Sequence, residues 1–359
     1  MNPNFRTVID ATDAERRDLF LGAAARLGTP VQNVEKDFWV CWTLDALFNG
    51  LPADGPRLLF KGGTSLSKAF GLISRFSEDI DITVFREDLG QPIGAADLNG
   101  LTGKKRRVKL DAIRDACKAY IAEAFTQQLN DLAMSAMPKA SFRMELDPDD
   151  KDGQTMLFWY PTVTATEGDY IRAAVKIEAG AKSALDPHIS ATVTPYVAED
   201  LPDLKLNVAN ITTVKPERTY WDKVMILHGL HQWYEKRGEL RHGGQRVSRH
   251  YYDIYRLAHA EGHAGWQADQ ALAKDCATHA KLFFGSPDLG LETATVGSFT
   301  LSPNEKMRGD LEKDYTAMSG MIFGNIPTLQ TVLVTVAAIQ QQLNSSASEL
   351  GQDSAANLV

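Results

Sequence analysis

The amino-acid sequence predicts an α+β protein, in which a mixed half precedes an all-helical half. Two observations predict this class. As far as about residue 205, short apolar or alternating runs typical of strands are interleaved with helical patterns. From residue 216 onward, apolar residues recur mostly at helical spacing. We therefore expect one domain at 1–205, a helical domain at 206–345, and a disordered tail at 346–359, where small and polar residues dominate.

The elements of the mixed half follow one another in a regular order. Helices are predicted at 12–28 and 34–48, a buried strand at 57–61, and a helix at 64–72 that Thr64 or Ser65 caps. Alternation predicts a strand at 79–84. A long helix at 105–135 is followed by strands at 140–146, 155–160, 171–178 and 187–196. In the second half, the predicted helices span 217–236, 248–260, 266–283, 304–318 and 327–343.

Composition excludes several classes of protein. The chain has 359 residues, of which 44% are hydrophobic and 23% charged, and this excludes a fibre, a coiled-coil rod and a wholly disordered chain. A net charge of −8 argues against a general nucleic-acid coat, because binding phosphate needs a positive field. There is no secretory signal pattern, and the apolar run at 331–339 is far below the roughly 20 residues that span a bilayer. Three widely spaced cysteines favour a reduced, cytoplasmic protein.

Residues 61–68, Lys-Gly-Gly-Thr-Ser-Leu-Ser-Lys, have the pattern of a phosphate-binding turn. The pair Gly62 and Gly63 lets the backbone approach a ligand, and the helix that follows directs its N-terminal amides and positive dipole end at an anion. Thr64 and Ser65 add hydroxyl groups beside Lys61. The alternative is a tight turn with a helix cap and no ligand.

Two aspartates share one face of the strand at 79–84. Asp79 and Asp81 lie about 7 Å apart by strand geometry. Beside a triphosphate, such a pair suits Mg²⁺ or Mn²⁺, since Mg²⁺ prefers carboxylate and phosphate oxygens. Two ions could activate an attacking oxygen and stabilise a leaving pyrophosphate. Ser77, two residues earlier, caps a turn or touches phosphate or metal-bound water.

A third carboxylate is predicted on another strand. Alternation over 172–178 places Glu178 on the same strand face as Arg172 and Lys176. Glu178 either completes the metal site and acts as the base for an acceptor hydroxyl, or is a salt-bridged strand carboxylate.

Residues 61–67 with 75–82 resemble the motif of the nucleotidyltransferase superfamily that includes polymerase beta and the CCA-adding enzymes. More narrowly, they resemble the AbiEii/AbiGii toxin family, which includes abortive-infection toxins of phage defence and related mycobacterial nucleotidyltransferase toxins. Segments 34–39, 216–228 and 249–255 extend the resemblance over about 30–345, in the order typical of the family. The resemblance implies a minimal nucleotidyltransferase domain with a mixed sheet and flanking helices, joined to a helical C-terminal domain.

The resemblance also implies an activity and partners. The implied activity is Mg²⁺-dependent transfer of a nucleoside monophosphate from an NTP. The implied partners are an RNA acceptor, which is tRNA in several relatives, and a separately encoded antitoxin. By its motifs, Lys223 would contact the NTP phosphates, and Asp253 would orient Lys223 or bind the nucleobase or ribose. Without a ligand, Lys223 would be an exposed helix lysine. Arg218 and Arg249 would serve the same site or form structural ion pairs.

One basic run and two alternative functions remain open. The run consists of Lys104, Lys105, Arg106, Arg107 and Lys109, and it is either a solvated helix start or a contact for RNA. The acidic net charge suits a protein or small-molecule acceptor instead of RNA. A catalytically inactive NTP-binding interaction protein is the other alternative, and the clustered carboxylates argue against it because such a protein has no physical need for clustered like charges.

Overall fold

The computed structural model describes residues 1–138, 141–165, 173–244 and 246–356, and from 346 onward it describes the backbone alone. The chain forms two units. The first contains Met1–Gly71 and Phe76–Val214, and the second contains Leu72–Arg75 and Lys215–Val359. The sequence places the boundary after residue 205, whereas the units divide after Val214, because an additional strand at 208–214 completes the sheet of the first unit.

A seven-stranded mixed sheet forms the centre of the first unit, which confirms the predicted α+β class. Its strands in chain order are β1 (Leu58–Lys61), β2 (Asp79–Val84), β3 (Arg143–Leu146), β4 (Thr155–Trp159), β5 (Ala174–Gly180), β6 (His188–Val193) and β7 (Val208–Val214). Their spatial order is β3-β4-β5-β2-β1-β7-β6. The pairs β2–β5 and β1–β7 are parallel and the other pairs are antiparallel. The sequence analysis did not predict β7, although its Val, Ile and Thr residues favour a strand.

Seven helices are described in the first unit: α1 (Phe5–Ile9), α2 (Asp13–Leu27), α3 (Val31–Asp45), α4 (Gly62–Lys68), α5 (Ala95–Leu98), α6 (Gly103–Tyr120) and α7 (Thr126–Ala136). Thr12 caps α2 with a capping box that Glu15 completes. Single π-helical turns continue α3 over Ala46–Gly50 and join α6 to α7 over Ile121–Phe125. The predicted helix at 105–135 is therefore one helical stretch with a π turn inside it.

Helix α4 differs from its prediction at both ends. It begins at Gly62, two residues before the predicted start at 64, and ends at Lys68 before the predicted end at 72. Its N-cap is therefore Lys61 and not Thr64 or Ser65, which are inside the helix. The shorter helix leaves residues 72–75 to the second unit.

Helix α3 packs on the sheet through aromatic side chains. The Trp39 ring stacks on Tyr160, with ring centroids 5.5 Å apart, and the Trp42 ring lies 5.3 Å from that of Phe158 in β4. Trp39 and Trp42 are at most 1% exposed. Aromatic pairs of this kind add about 0.5–1.5 kcal/mol each beyond burial, so α3 is firmly anchored beside β4.

The second unit is helical, as predicted. Its helices are α8 (Pro216–Arg237), α9 (Ser248–Ala258), α10 (His263–Ala268), α11 (Gln270–Phe284), α12 (Glu305–Ser319) and α13 (Leu329–Ala356). The single helix predicted at 266–283 is two, because Asp269 ends α10 and caps α11 by accepting a hydrogen bond from the Leu272 amide at 2.9 Å.

The tail predicted to be disordered from 346 is helical as far as Ala356, and its Ala, Leu and Glu residues favour a helix. Residues 357–359 lie outside the described part. No described helix is long and apolar enough to cross a membrane.

Candidate active site

Four charged side chains of β2 and β5 lie on one face of the sheet. In the parallel register of these strands, Asp79 is opposite Lys176 and Asp81 is opposite Glu178. On the other side of β2, Asp81 is opposite Lys61 of β1. Neighbouring strands lie about 4.8 Å apart, so Lys61, Asp81 and Glu178 form one row across three strands. The structure thus brings together the three predicted carboxylates.

Lys176 neutralises part of this acidic group. Its Nζ lies 2.8 Å from Glu178 Oε1 and 3.5 Å from Asp147 Oδ2. Burial lowers the pKa of the Lys176 ammonium, but the hydrogen bond and charge of Glu178 and the charges of Asp79 and Asp147 outweigh burial and raise that pKa. Lys176 therefore stays charged and relieves the repulsion among the carboxylates. The ion pair of Glu178 matches the salt-bridged alternative, while its roles as metal ligand and base remain predictions. Arg172, predicted on the same face, lies outside the described residues.

The two aspartates fit a divalent cation by their donor chemistry. Asp79 and Asp81 alternate with fully buried Ile80 and Ile82, so both half-buried carboxylates lie on the polar face of β2. Carboxylate oxygens are the ligands that Mg²⁺ prefers. Among the described residues, however, there is no cluster of three or more His, Cys, Asp or Glu side chains that could hold a metal ion. A metal site at Asp79 and Asp81 therefore remains a prediction.

Gly62 brings the start of α4 directly against Asp81. Its φ is +81°, a value in the left-handed region that favours glycine. A Cβ atom at this position would lie 2.0 Å from Asp81 Oδ2 and 2.7 Å from Asp81 Cγ. Glycine is therefore required here for two reasons, its backbone conformation and its contact with the carboxylate. Gly63 follows in the same turn of α4 and is half-buried.

The hydroxyl groups predicted to bind phosphate tie α4 to β2. Thr64 and Ser65 have no exposed surface. The Thr64 hydroxyl donates to the Asp79 carbonyl and lies 2.8 Å from Ser77 Oγ, and the Ser65 hydroxyl donates to the Gly62 carbonyl at 2.9 Å. The contacts of Thr64 fix α4 relative to the start of β2, whereas the Ser65 bond lies within α4. Contact of the hydroxyls with phosphate stays a prediction.

A buried cluster of charges joins the two predicted residues of the second unit. Lys223 Nζ lies 2.7 Å from Asp253 Oδ2, and Arg75 makes a bidentate pair with the same carboxylate at 2.8 and 3.0 Å. Burial alone would raise the pKa of Asp253, but Arg75 and Lys223 outweigh it and hold that pKa well below its usual value. Burial lowers the pKa of Lys223, which is 7% exposed.

The ion pair of Lys223 with Asp253 suits the prediction that Asp253 orients Lys223. The roles of both residues toward a nucleotide remain predictions. The sequence analysis assigned no role to Arg75. Its position four residues before Asp79, inside the motif, is the only signal that could have marked it.

The two other arginines differ in their surroundings. Arg218 is 1% exposed, and it pairs with Asp222 at 3.3 Å and also with Asp275. This arrangement matches the structural alternative for Arg218. Arg249, at the start of α9, is half-buried.

The predicted basic run lies at the start of α6. Thr102 caps this helix by accepting from the Lys105 amide. Exposed side chains include those of Lys104, Lys105 and Arg107, while Arg106 and Lys109 are half-buried. Cations near a helix N-terminus oppose the helix dipole, so this run does not stabilise α6 through the dipole. Contact of this run with RNA stays a prediction.

Comparison with known proteins gives two findings. The family model described as the nucleotidyl transferase AbiEii toxin of type IV toxin–antitoxin systems matches residues 45–343. A solved structure similar to this chain is MenT4, a nucleotidyltransferase toxin from Mycobacterium tuberculosis H37Rv, at 14% identity, a TM-score of 0.40, and coverage of 95% of this chain and 99% of that one. No curated protein matches the chain.

Proposed function

The chain belongs to the AbiEii nucleotidyltransferase toxin family of type IV toxin–antitoxin systems, and we propose that it transfers a nucleoside monophosphate from an NTP to an RNA acceptor with the help of a divalent cation. Membership also implies a cognate antitoxin. The single observation that carries the proposal is the arrangement of Asp79, Asp81 and Glu178 on adjacent parallel strands, with the glycine start of α4 against Asp81.

In the proposed reaction, an acceptor hydroxyl attacks the α-phosphorus of the NTP. A new phosphorus–oxygen bond forms, the bond to the β-phosphate oxygen breaks, and pyrophosphate leaves. Glu178 takes the hydroxyl proton, since it lies across from Asp81 and is 40% exposed. Asp79 and Asp81 would hold Mg²⁺ or Mn²⁺, which supplies charge neutralisation for the triphosphate.

The triphosphate is assigned to the segment that begins α4. Lys61 lies in the same row as Asp81 and provides a cation. Gly62 and Gly63 provide backbone that can come close to phosphate oxygens. Thr64 with Ser77 keeps that backbone in place beside Asp79, and Ser65 bonds to the Gly62 carbonyl in the same turn. In the second unit, we assign Lys223 to phosphate contact, with Asp253 as the residue that orients its ammonium.

An RNA acceptor is favoured by the basic run at the start of α6. Arg107 is 85% exposed, and its pair with Asp111 spans 3.8 Å, so its charge is available to a ligand. A cluster of cations that opposes the helix dipole is explained by a polyanionic partner better than by helix stability. We propose tRNA as the first acceptor to test. NTP and tRNA both occur in the cytoplasm, so the proposal places the reaction there.

The test is a transfer assay with purified protein, Mg²⁺, total RNA and each of the four α-³²P-labelled NTPs in turn. We expect label in a tRNA-sized band with the wild type and none with Asp79→Ala. Asp131→Ala is the matched control, because it removes an exposed aspartate of the same unit, on α7, and should transfer like the wild type. Both variants should keep the wild-type circular dichroism spectrum.

Several results would contradict the proposal. Transfer by Asp79→Ala at the wild-type rate would remove the proposed site. Label on protein or on a small molecule would replace the RNA acceptor with the corresponding alternative. Binding of NTP without transfer to total RNA, protein or small molecules would favour an inactive NTP-binding protein.

A further inference from the structure

Three consecutive charged residues of α3 are buried inside the first unit. Glu35, Lys36 and Asp37 are 1%, 4% and 3% exposed. We infer that this run, called here the α3 charged turn, is a positioning element for nucleotidyl transfer, which holds in place the backbone that carries Asp79 and α4. The inference rests on the proposed function of Asp79 and Asp81, and it concerns residues that precede the matched range 45–343.

Lys36 holds the residue that directly precedes the first aspartate. Its Nζ lies 2.6 Å from Glu78 Oε2, and the two side chains are 5% and 13% exposed. The next residue, Asp79, is held from the other side, because its carbonyl accepts a hydrogen bond from Thr64 of α4. The start of β2 is thus fixed between α3 and α4.

Asp37 holds the other end of α4. Its Oδ1 lies 2.7 Å from Nζ of Lys68, the last residue of α4, and its Oδ2 accepts a hydrogen bond from the Tyr196 amide at 2.7 Å. The Lys68 ammonium also lies 4.0 Å from the centre of the Tyr196 ring. The short helix that begins at Gly62 is therefore anchored at Lys68 to α3.

Glu35 holds the segment that follows β4. Its carboxylate accepts hydrogen bonds from the amides of Val163 and Thr164, at 2.7 and 3.1 Å, and from the hydroxyls of Thr162 and Thr164. One turn of α3 thereby contacts four segments: the start of β2, the end of α4, Tyr196 and the residues after β4.

Stability alone does not explain this arrangement. Replacing a buried ion pair by apolar residues of similar volume is often neutral or stabilising, so three adjacent buried charges are a poor way to strengthen a core. The same helix carries a buried carboxylate with a different use. Asp45, 1% exposed, accepts hydrogen bonds from the Asn2 amide and the Asn49 side chain, neither of which belongs to a proposed site motif.

The test compares Lys36→Met, Lys36→Arg and Asp45→Asn in the full chain, by amide hydrogen exchange and by transfer kinetics. We expect Lys36→Met to speed exchange in residues 76–84 at least tenfold and to lower kcat at least tenfold, with KM for the NTP within threefold of wild type. Lys36→Arg should restore both to within about threefold, because it keeps a charge that can reach Glu78. Asp45→Asn should speed exchange only near residues 1–4 and 46–50 and leave kcat unchanged.

Either of two results for Lys36→Met would overturn the inference. The first is amide exchange in residues 76–84 within twofold of the wild-type rate. The second is a wild-type kcat, measured below the melting temperature of the variant. If Lys36→Met does not fold, Asp37→Asn tests the same role with no change of side-chain shape. It should speed exchange in residues 62–68 and lower kcat, and wild-type values for either would refute the inference. A wild-type chain that transfers nothing would refute the proposed function, while hydrogen exchange would still decide whether α3 holds β2 and α4.

Discussion

Gly62→Ala is the substitution that most directly tests the proposed site, because it adds one methyl group against the Asp81 carboxylate. Two costs can be separated. A non-glycine residue in the left-handed region is strained by about 1–2 kcal/mol, and Gly62 has a φ of +81°. The second cost is steric, since the new Cβ would lie 2.0 Å from Asp81 Oδ2.

The steric cost acts on the chemistry of the site. Ordinary van der Waals contact begins at 3.4 Å, so Asp81 Oδ2 or the Gly62 backbone must move by about 1.4 Å. A misplacement of about 1 Å in a catalytic constellation can lower the rate by about 100-fold, which corresponds to about 2.7 kcal/mol in the activation barrier. We therefore expect kcat of Gly62→Ala to fall at least about 100-fold.

Gly90→Ala separates strain from the steric contact. Gly90 has a φ of +71°, and a Cβ there has no neighbouring atom within 4 Å. Gly90→Ala should lose about 1–2 kcal/mol of unfolding free energy, measured by urea denaturation, because it carries the backbone strain alone, and Gly62→Ala should lose at least as much. Only Gly62→Ala should lose transfer activity in the assay with labelled NTP. The reasoning is refuted if Gly62→Ala keeps kcat within threefold of wild type, or if Gly90→Ala loses as much.

Three further predictions concern charge. Asp253→Ala removes the carboxylate that Arg75 and Lys223 share, and urea denaturation should show a loss of about 3–5 kcal/mol. Because the folded pKa of Asp253 is depressed, its contribution to stability is complete above about pH 4 and is lost as the pH falls through the lower folded pKa. Denaturation from pH 7 to pH 2 should show this loss, and an equal acid slope in Asp253→Asn would contradict it. The last prediction replaces four residues of the basic run together by glutamine: Lys104, Lys105, Arg106 and Arg107. The replacement should weaken RNA binding and flatten the dependence of RNA affinity on salt concentration. An unchanged salt dependence would indicate that the run is a solvated surface.

Much of the fold could be predicted because its signals are local. Alternation placed β2 at 79–84, and helical spacing placed α8 close to its observed bounds. The missed strand β7 and the shortened helix α4 have another explanation. Strand β7 forms because it pairs with β1 and β6. Helix α4 begins where Gly62 lies against Asp81, and it ends where Lys68 pairs with Asp37 of α3.

The candidate site shows the same division. The sequence alone determined the residue types at close spacing, namely the glycine pair, Asp79 and Asp81, because spacing along one strand or one turn sets their relative positions. Only the tertiary structure decided their partners. Arg75 meets Asp253 across 178 residues, and Lys36 meets Glu78 across 42. A buried charge needs an opposite charge within a few ångströms, and the register of the sheet and the packing of α3 decide which residue supplies it.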